Sequence, residues 1–547
     1  MISAWRALVV LACLAWAAPA AAATYYVNCS TGNNGNSGAI GAPWLTVQHA
    51  TTTMVAGDTT YVRGGTCTEN FITFANSGTA GNVITLRGYP GETAIIDAGF
   101  TTSSPDTGIT PEPVFDIDGP DHITLAYLTI RRGRTTNIFI SDDVQSTDIT
   151  IDHCTLEDFV TGDNAASIYV NSTADNIVIS HNLIDGYIPD ARSNVASGII
   201  VFSPQDITIE HNEIANVIQG ISQKYSATTN YTQLVRYNYL HDITDFGMLW
   251  SGHDGIISHN LLYETSTAGA FGAILIFQEA GSCSALASDD NQILHNTIYG
   301  GAAGIVLSQS ALCDGAINTL VRDNIVAQYD GTEYRGLAIS PYRTDDLNST
   351  VTYNLVHSTI VTGTDAFVNT TYYELASLPG TVTHSNNINS APTFVNAAGL
   401  DFTLAAGSAG ENAASDGADM GADIACVGID APCGGATVPD APTIGAVTPG
   451  NGQCTVAFTP PASDGGAAIT GYTATSTPGS FTGTGSASPI TVTGLSNGTG
   501  YTFTVYATNS QGNSSNSSAS NTCTPTAATP GGVRLRLRGG GPEDEDR

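Results

Sequence analysis

Lysine is the scarcest chemistry in this chain: of 16 basic residues, Lys224 is the single lysine. A neutral lysine amine is an effective general base, whereas arginine holds its proton too tightly for that role. Such a base suits removal of a proton made acidic by a neighbouring carboxylate, with loss of an oxygen from the next carbon. His253 and Tyr225 are the candidate donors of a proton to that departing oxygen. Arg192 and Arg236 are candidate partners for the substrate carboxylate, and the rings of Tyr169 and Phe202 offer stacking surfaces to a sugar. Asp185, Asp242 and Asp245 fall in turn-like segments whose oxygens suit Ca²⁺, and a bound cation there neutralises a carboxylate as well. Each has a plainer reading beside it. Lys224 reads equally as an exposed strand lysine, the aspartates as solvated turn residues, and the aromatics as ladder neighbours.

These residues lie between copies of a repeat. Ile177-Val-Ile-Ser-His-Asn182 is followed by Ile207-Thr-Ile-Glu-His-Asn212, and later copies centre on Asn238, Asn260, Asn296, Asn324 and Asn354. An earlier copy, Ile149-Thr-Ile-Asp-His-Cys154, puts Cys154 in the Asn slot, and the one before it puts Leu128 there. The marks are 22 to 36 residues apart, which is solenoid spacing with loops of variable length. Alternation with period two predicts strands with one buried face. One coil cannot bury that face alone, so coils stack on a shared core. The recurring Asn then sits at one tight turn per coil and hydrogen-bonds along the stack, which satisfies buried turn amides. Cys154 is expected as a small structural substitute in that column. The next strand of each coil contains Gly198 to Phe202, Gly220 to Lys224, Gly247 to Ser251, Ala273 to Phe277 and Gly304 to Ser308. These strands predict one sheet whose outer face carries the ligand, with Lys224 projecting from it.

Composition narrows the partners. The formal charge is −33, from 49 acidic and 16 basic residues, which excludes nucleic acid and anionic membranes as partners because both need basic patches. A polyanionic sugar then needs cations to bridge the charges. Residues 1–23 read as a secretory signal, with Arg6, an apolar run and the small-residue site Ala21-Ala22-Ala23. No later segment is apolar enough for a membrane helix, so a secreted or cell-surface monomer is expected. Ten cysteines fit an oxidising compartment. Without Cys13 of the leader they pair by proximity as Cys29–Cys67, Cys283–Cys313, Cys426–Cys433 and Cys454–Cys523, leaving Cys154.

Both ends carry family resemblances. Tyr25-Tyr-Val27, Pro43-Trp44 and Gly57-Asp58 onward, with Leu404-Ala-Ala-Gly-Ser408 and Asp419-Met-Gly-Ala422 near the far end, resemble the opening and closing coils of secreted right-handed parallel β-helix proteins of the pectin lyase-like superfamily. The resemblance covers residues 24–425 and implies an all-β solenoid; members include lyases, hydrolases, epimerases and inert adhesins. Residues 426–438 read as a linker and 527–547 as a disordered tail. Residues 439–526, with Pro439-Asp-Ala-Pro442, Thr470-Gly-Tyr-Thr473 and Leu495 to Phe503, resemble a small β-sandwich of the fibronectin type III kind. Locally, Ile221-Ser-Gln-Lys224 is similar to the base-bearing strand of the alginate lyase and chondroitinase B family, and His253 matches that family's histidine one coil later. The family's two calcium-binding glutamates are Val217 and Gln219 here, and its arginine is Gly252. The resemblance implies a polysaccharide lyase, or a related epimerase, acting on uronic-acid glycans. The alternative is a non-catalytic extracellular protein whose solenoid binds glycan.

Overall fold

The computed structural model describes residues 22–527 except 102–111, 141–143, 161–164, 189–195, 203–205, 225–232, 252–253, 264–272, 279–289, 302–303, 310–318, 330–336, 341–348, 359–365, 369–370, 374–382, 389, 398–400, 416–417, 423–426, 428–437, 440, 460, 462–470, 486–487 and 510–511. Most of the expected leader, nearly all of the linker, and the tail lie outside the described residues. So do Arg192, Tyr225, His253, Cys283, Cys313, Cys426 and Cys433. The chain divides into two compact units, residues 1–431 and 432–547.

In the first unit each coil supplies three strands. One full coil runs Ser146–Asp152, Thr155–Val160 and Ala165–Val170 before the next begins at Ala174–Ser180. Strands of successive coils pair in parallel, and the described residues build sheets of thirteen, twelve and eleven strands. The thirteen-stranded sheet leads into the tight turn, the eleven-stranded sheet leaves it, and the twelve-stranded sheet closes the coil. This is the predicted right-handed parallel β-helix. Register holds from coil to coil: Ile123 pairs with Ile149, Ile149 with Ile177, and Ile177 with Ile207. All four are 0–1% exposed, so like stacks on like, and each buried isoleucine contributes roughly 1.5–3 kcal/mol.

The asparagine column forms as the repeat predicts. Asn212 is typical: its Oδ1 accepts from the backbone N and the Nδ2 of Asn182, at 3.0 and 2.9 Å, and its Nδ2 donates to the Ile179 and Glu210 carbonyls. The same bonds recur through Asn238, Asn260, Asn296, Asn324 and Asn354, and the column continues to Asn387. The residue before each rung is left-handed, with φ of 51° at His153, 54° at His181 and 56° at His211 and Tyr237. For a residue with a side chain that conformation costs about 1–2 kcal/mol, which the ladder's bonds offset.

Cys154 takes its place in line, its backbone N donating to Asn182 Oδ1 at 2.9 Å. Burial pushes its thiol up to about 12. In native protein Cys154 is therefore expected to resist iodoacetamide at neutral pH and to react once the chain is unfolded, as read by peptide mass mapping. Modification of the folded protein contradicts this placement.

An N-terminal cap covers the first coil. The helix Val47–Thr53 carries Thr46 as its N-cap. Glu69 accepts from the first-turn helix amides of Val47 and Gln48 at 2.8 and 2.9 Å, and the Cys29–Cys67 disulfide closes the cap. On the nearby eleven-stranded sheet, Asp97 is buried among Arg131, Arg132 and the Gly99 amide. Burial alone raises this carboxyl, but the Arg132, Gly99 and Arg131 bonds outweigh it and hold it below the usual range. A depressed folded-state pKa contributes stability above the unfolded value and loses it as pH falls through the folded one. Wild type is therefore expected to lose midpoint stability on acidification through the carboxylate range, and Asp97→Asn, already weaker at neutral pH, to lose less over that range. Equal acid slopes in chemical denaturation contradict the assignment.

The second unit is the expected sandwich. One sheet contains Thr443–Gly450, Gln453–Thr459 and Ile490–Thr493; the other contains Thr482–Gly485, Gly471–Thr477, Thr502–Asn509 and Gly512–Asn513. Tyr501 Oη accepts from the Ser496 amide at 3.1 Å, the tyrosine corner of such folds. Cys454, on Gln453–Thr459, and Cys523 are bonded as the pairing predicts.

Candidate functional site

The phase of Lys224 is set four residues upstream. Gly220 and Ile221 both face the interior, and a Cβ on Gly220 would lie 2.5 Å from Leu240 Cδ2. The same holds one coil earlier, where a Cβ on Gly198 would lie 2.5 Å from Ile214 Cγ2. Two consecutive inward positions shift the alternation. Gln219 and Ser222 then share the outer face, and Ser222 Oγ donates to Gln219 Oε1 at 2.8 Å. Ile221 and Gln223 turn in, fully buried. Lys224 turns out, half-buried, at the C-terminal end of Gln219–Lys224 in the twelve-stranded sheet.

Aromatic residues lead up to it along the stack. The rings of Phe139, Tyr169 and Phe202 follow one another at 5.2 Å per step, and Phe202 is the strand partner of Lys224. Tyr169 and Phe202 are half-buried. On later coils the same outer face is closed by an apolar cluster of Phe246, Leu249, Leu275 and Val306, each no more than 9% exposed. Three of the sequence candidates, Lys224, Tyr169 and Phe202, therefore share one face.

The charged candidates are dispersed over all three sheets. Arg236 lies on the thirteen-stranded sheet, its Nε 2.7 Å from Glu210 Oε2. Asp185 lies on the eleven-stranded sheet and accepts from Asn216 Nδ2 at 2.7 Å. Asp242 is exposed and 2.7 Å from His241 Nδ1. Asp245 precedes the twelve-stranded sheet and accepts from Gln219 Nε2 at 3.2 Å; burial raises its carboxyl. Lys224 is five residues beyond Gln219 on that strand, hence roughly 15 Å from this end. Among the described residues these aspartates do not gather into one cation site, nor do they converge on Lys224.

A second arrangement, which in the sequence reads as a slot of the repeat, runs along the tight turns. The left-handed residues Tyr127, His153, His181, His211, Tyr237, His259 and His295 stack ring on ring at 4.6 to 5.0 Å. The Arg87 guanidinium caps the column 4.7 Å above the Tyr127 ring. The Asp152 carboxylate bridges His153 Nδ1 at 2.7 Å and His181 Nδ1 at 3.2 Å, and accepts from Ser180 Oγ at 2.9 Å. Burial raises this carboxyl, yet bonds from His181, His153 and Ser180 bring it down to about 2. The Asp-His, Ser-His and Glu-His pairs of the repeat were the visible signal, but contact between histidines 28 and 30 residues apart follows only from the coil register.

Comparison with known proteins agrees with this architecture. Residues 25–261 match the family model described as Pel9A-like, right handed beta helix region, and residues 440–523 match the fibronectin type III domain model. The chain combines a right-handed parallel β-helix, similar over residues 25–261 to the Pel9A-like region, with a small β-sandwich similar to fibronectin type III domains. The crystal structure of pectate lyase Pel9A aligns over 73% of this chain and 95% of its own, at 14% identity and a TM-score of 0.51, a likeness of fold. The alginate lyase AlyGC aligns over 78% of this chain and 62% of its own, at 13% identity and a TM-score of 0.45. A crystal structure of domains from titin aligns over 16% of this chain and 32% of its own, at 31% identity and a TM-score of 0.15. No curated protein matches the chain.

Proposed function

We propose that this is a secreted, glycan-active protein that cleaves a uronate polysaccharide by β-elimination, with Lys224 as the base. The observation that carries the reading is the position of the chain's single lysine on the outer face of the twelve-stranded sheet, beside Phe202, whose ring stacks on Tyr169. The neutral amine takes the proton at C5 of the sugar, which the adjoining carboxylate acidifies. Its electron pair forms the C4–C5 double bond, and the C4–O bond breaks. The departing oxygen takes a proton from His253 or Tyr225. The ladder rings present apolar edges to the sugar. The Cys29–Cys67 and Cys454–Cys523 disulfides support export to an oxidising compartment, and no described helix is long and apolar enough to cross a membrane.

The same proton removed and returned on the opposite face would make an epimerase. Incubation with uronate oligosaccharides in deuterated water separates the outcomes by mass spectrometry. A lyase yields unsaturated ends; an epimerase yields intact chains carrying deuterium at C5. Intact chains without deuterium, retained by the protein, would move the account to a binding role.

A further inference from the structure

The turn ridge carries a second site, on a corner of the solenoid between the thirteen- and eleven-stranded sheets and away from Lys224. We propose that Asp152, His153 and His181 bind a divalent transition-metal ion of the zinc or copper kind, coupling two successive coils. One carboxylate oxygen and one ring nitrogen from each histidine lie within 4.8 Å of one another. Among the described residues the other such group is Cys29, Cys67 and Glu69, and its two sulfurs are already joined in a disulfide.

The chain builds this site with rigid parts. His153 and His181 occupy the same left-handed turn position on neighbouring coils, and the ladder bond from the Cys154 amide to Asn182 Oδ1 locks those coils in register. Their imidazoles are therefore held parallel, 12° apart in plane and 4.6 Å between centroids, with both Nδ1 atoms turned to the same carboxylate. Ser180 Oγ steadies that carboxylate from behind, the outer-shell support that metal ligands require. To converge on one ion both rings tilt at their Nδ1 edges. His181 is backed by His211 at 4.9 Å, and His153 by Tyr127 at 4.7 Å, an exposed ring whose other face carries Arg87.

Ligand type selects the metal. Two imidazole nitrogens and one carboxylate suit Zn²⁺ or Cu²⁺, whereas Ca²⁺ takes six to eight oxygens. Three protein ligands leave a coordination position for water. The side chains of all three residues are 26–33% exposed, so solvent reaches the ion.

The test uses the full secreted chain, stripped with a chelator and titrated with Zn²⁺ by calorimetry and with Cu²⁺ by electron paramagnetic resonance. One equivalent is expected to bind, with two nitrogens in the copper spectrum and a raised thermal midpoint in the zinc form. Asp152→Asn and His153→Ala should weaken the affinity by about tenfold or more and remove the midpoint gain. His259→Ala, at the same turn position three coils beyond His181, should leave both unchanged. If His153→Ala unfolds, Ser180→Ala serves in its place, with weakened affinity expected on an intact fold. Equal binding in every variant, copper with fewer than two nitrogens, or no binding by wild type overturns the proposal.

Discussion

Lys224→Ala is expected to abolish β-elimination while the far-ultraviolet circular dichroism and the thermal midpoint stay at wild-type values. A positioned general base contributes typically 10²–10⁴-fold, so turnover should fall by about 10³-fold, with little change in substrate affinity. Lys224 is half-exposed on the outer face, and its truncation opens no core cavity: Ile221 and Gln223 hold the strand from inside. Lys224→Arg keeps the charge but cannot give up its proton at neutral pH, so it should be nearly as inactive as the alanine variant. Full activity in either variant removes Lys224 from the mechanism. Activity in the arginine variant alone reduces the residue to an electrostatic role.

Asn212→Ala is expected to be the most damaging single truncation in the solenoid that removes no apolar surface. The side chain is fully buried and accepts from two Asn182 donors while giving its own protons to two carbonyls and to Asn238 Oδ1. Each buried partner left unsatisfied costs about 1–3 kcal/mol, so a loss of ~3–5 kcal/mol is expected. Because solenoid stability is largely a sum of neighbour interfaces, the damage should be local. Hydrogen exchange should accelerate around the turns at 182 and 238 before it does near the cap. Cys154→Ala should cost much less, since a thiol is a weak hydrogen-bonding group, as its 3.5 Å contact to the Asp152 carbonyl illustrates. Uniform exchange across the unit, or equal losses in the two variants, would contradict the ladder's role.

The solenoid was legible because two signals agree over many copies. Period-two alternation marks strands, and an Asn after each marks the turn, so Asn182 to Asn354 could be placed on one column before any coordinates. The outward aim of Lys224 was legible for the same reason, although its cause was not. Gly220 and Ile221 face inward together, and that shift of phase depends on room left by Leu240 across the core. The surroundings of the aspartates were not legible, because loop position along the chain does not reveal which sheet a side chain joins. Asp185, Asp242 and Asp245 attach to Asn216, His241 and Gln219 in separate places. The Asp152 bridge and the ring column required the inter-coil register, which variable loop lengths hide. In the sandwich, Ser514, Ser517 and Ser520 accept from the amides of Ala507, Val505 and Phe503. Their spacing of three had no meaning until that strand was seen beside them.

The most direct test of the central claim is the ultraviolet absorbance of wild type incubated separately with alginate, pectate and glycosaminoglycans. The account predicts a steady rise from the unsaturated uronate product with at least one of them, and no rise from Lys224→Ala with the same polymer. A flat trace for the wild type with every polymer, from protein shown to be folded, would contradict it.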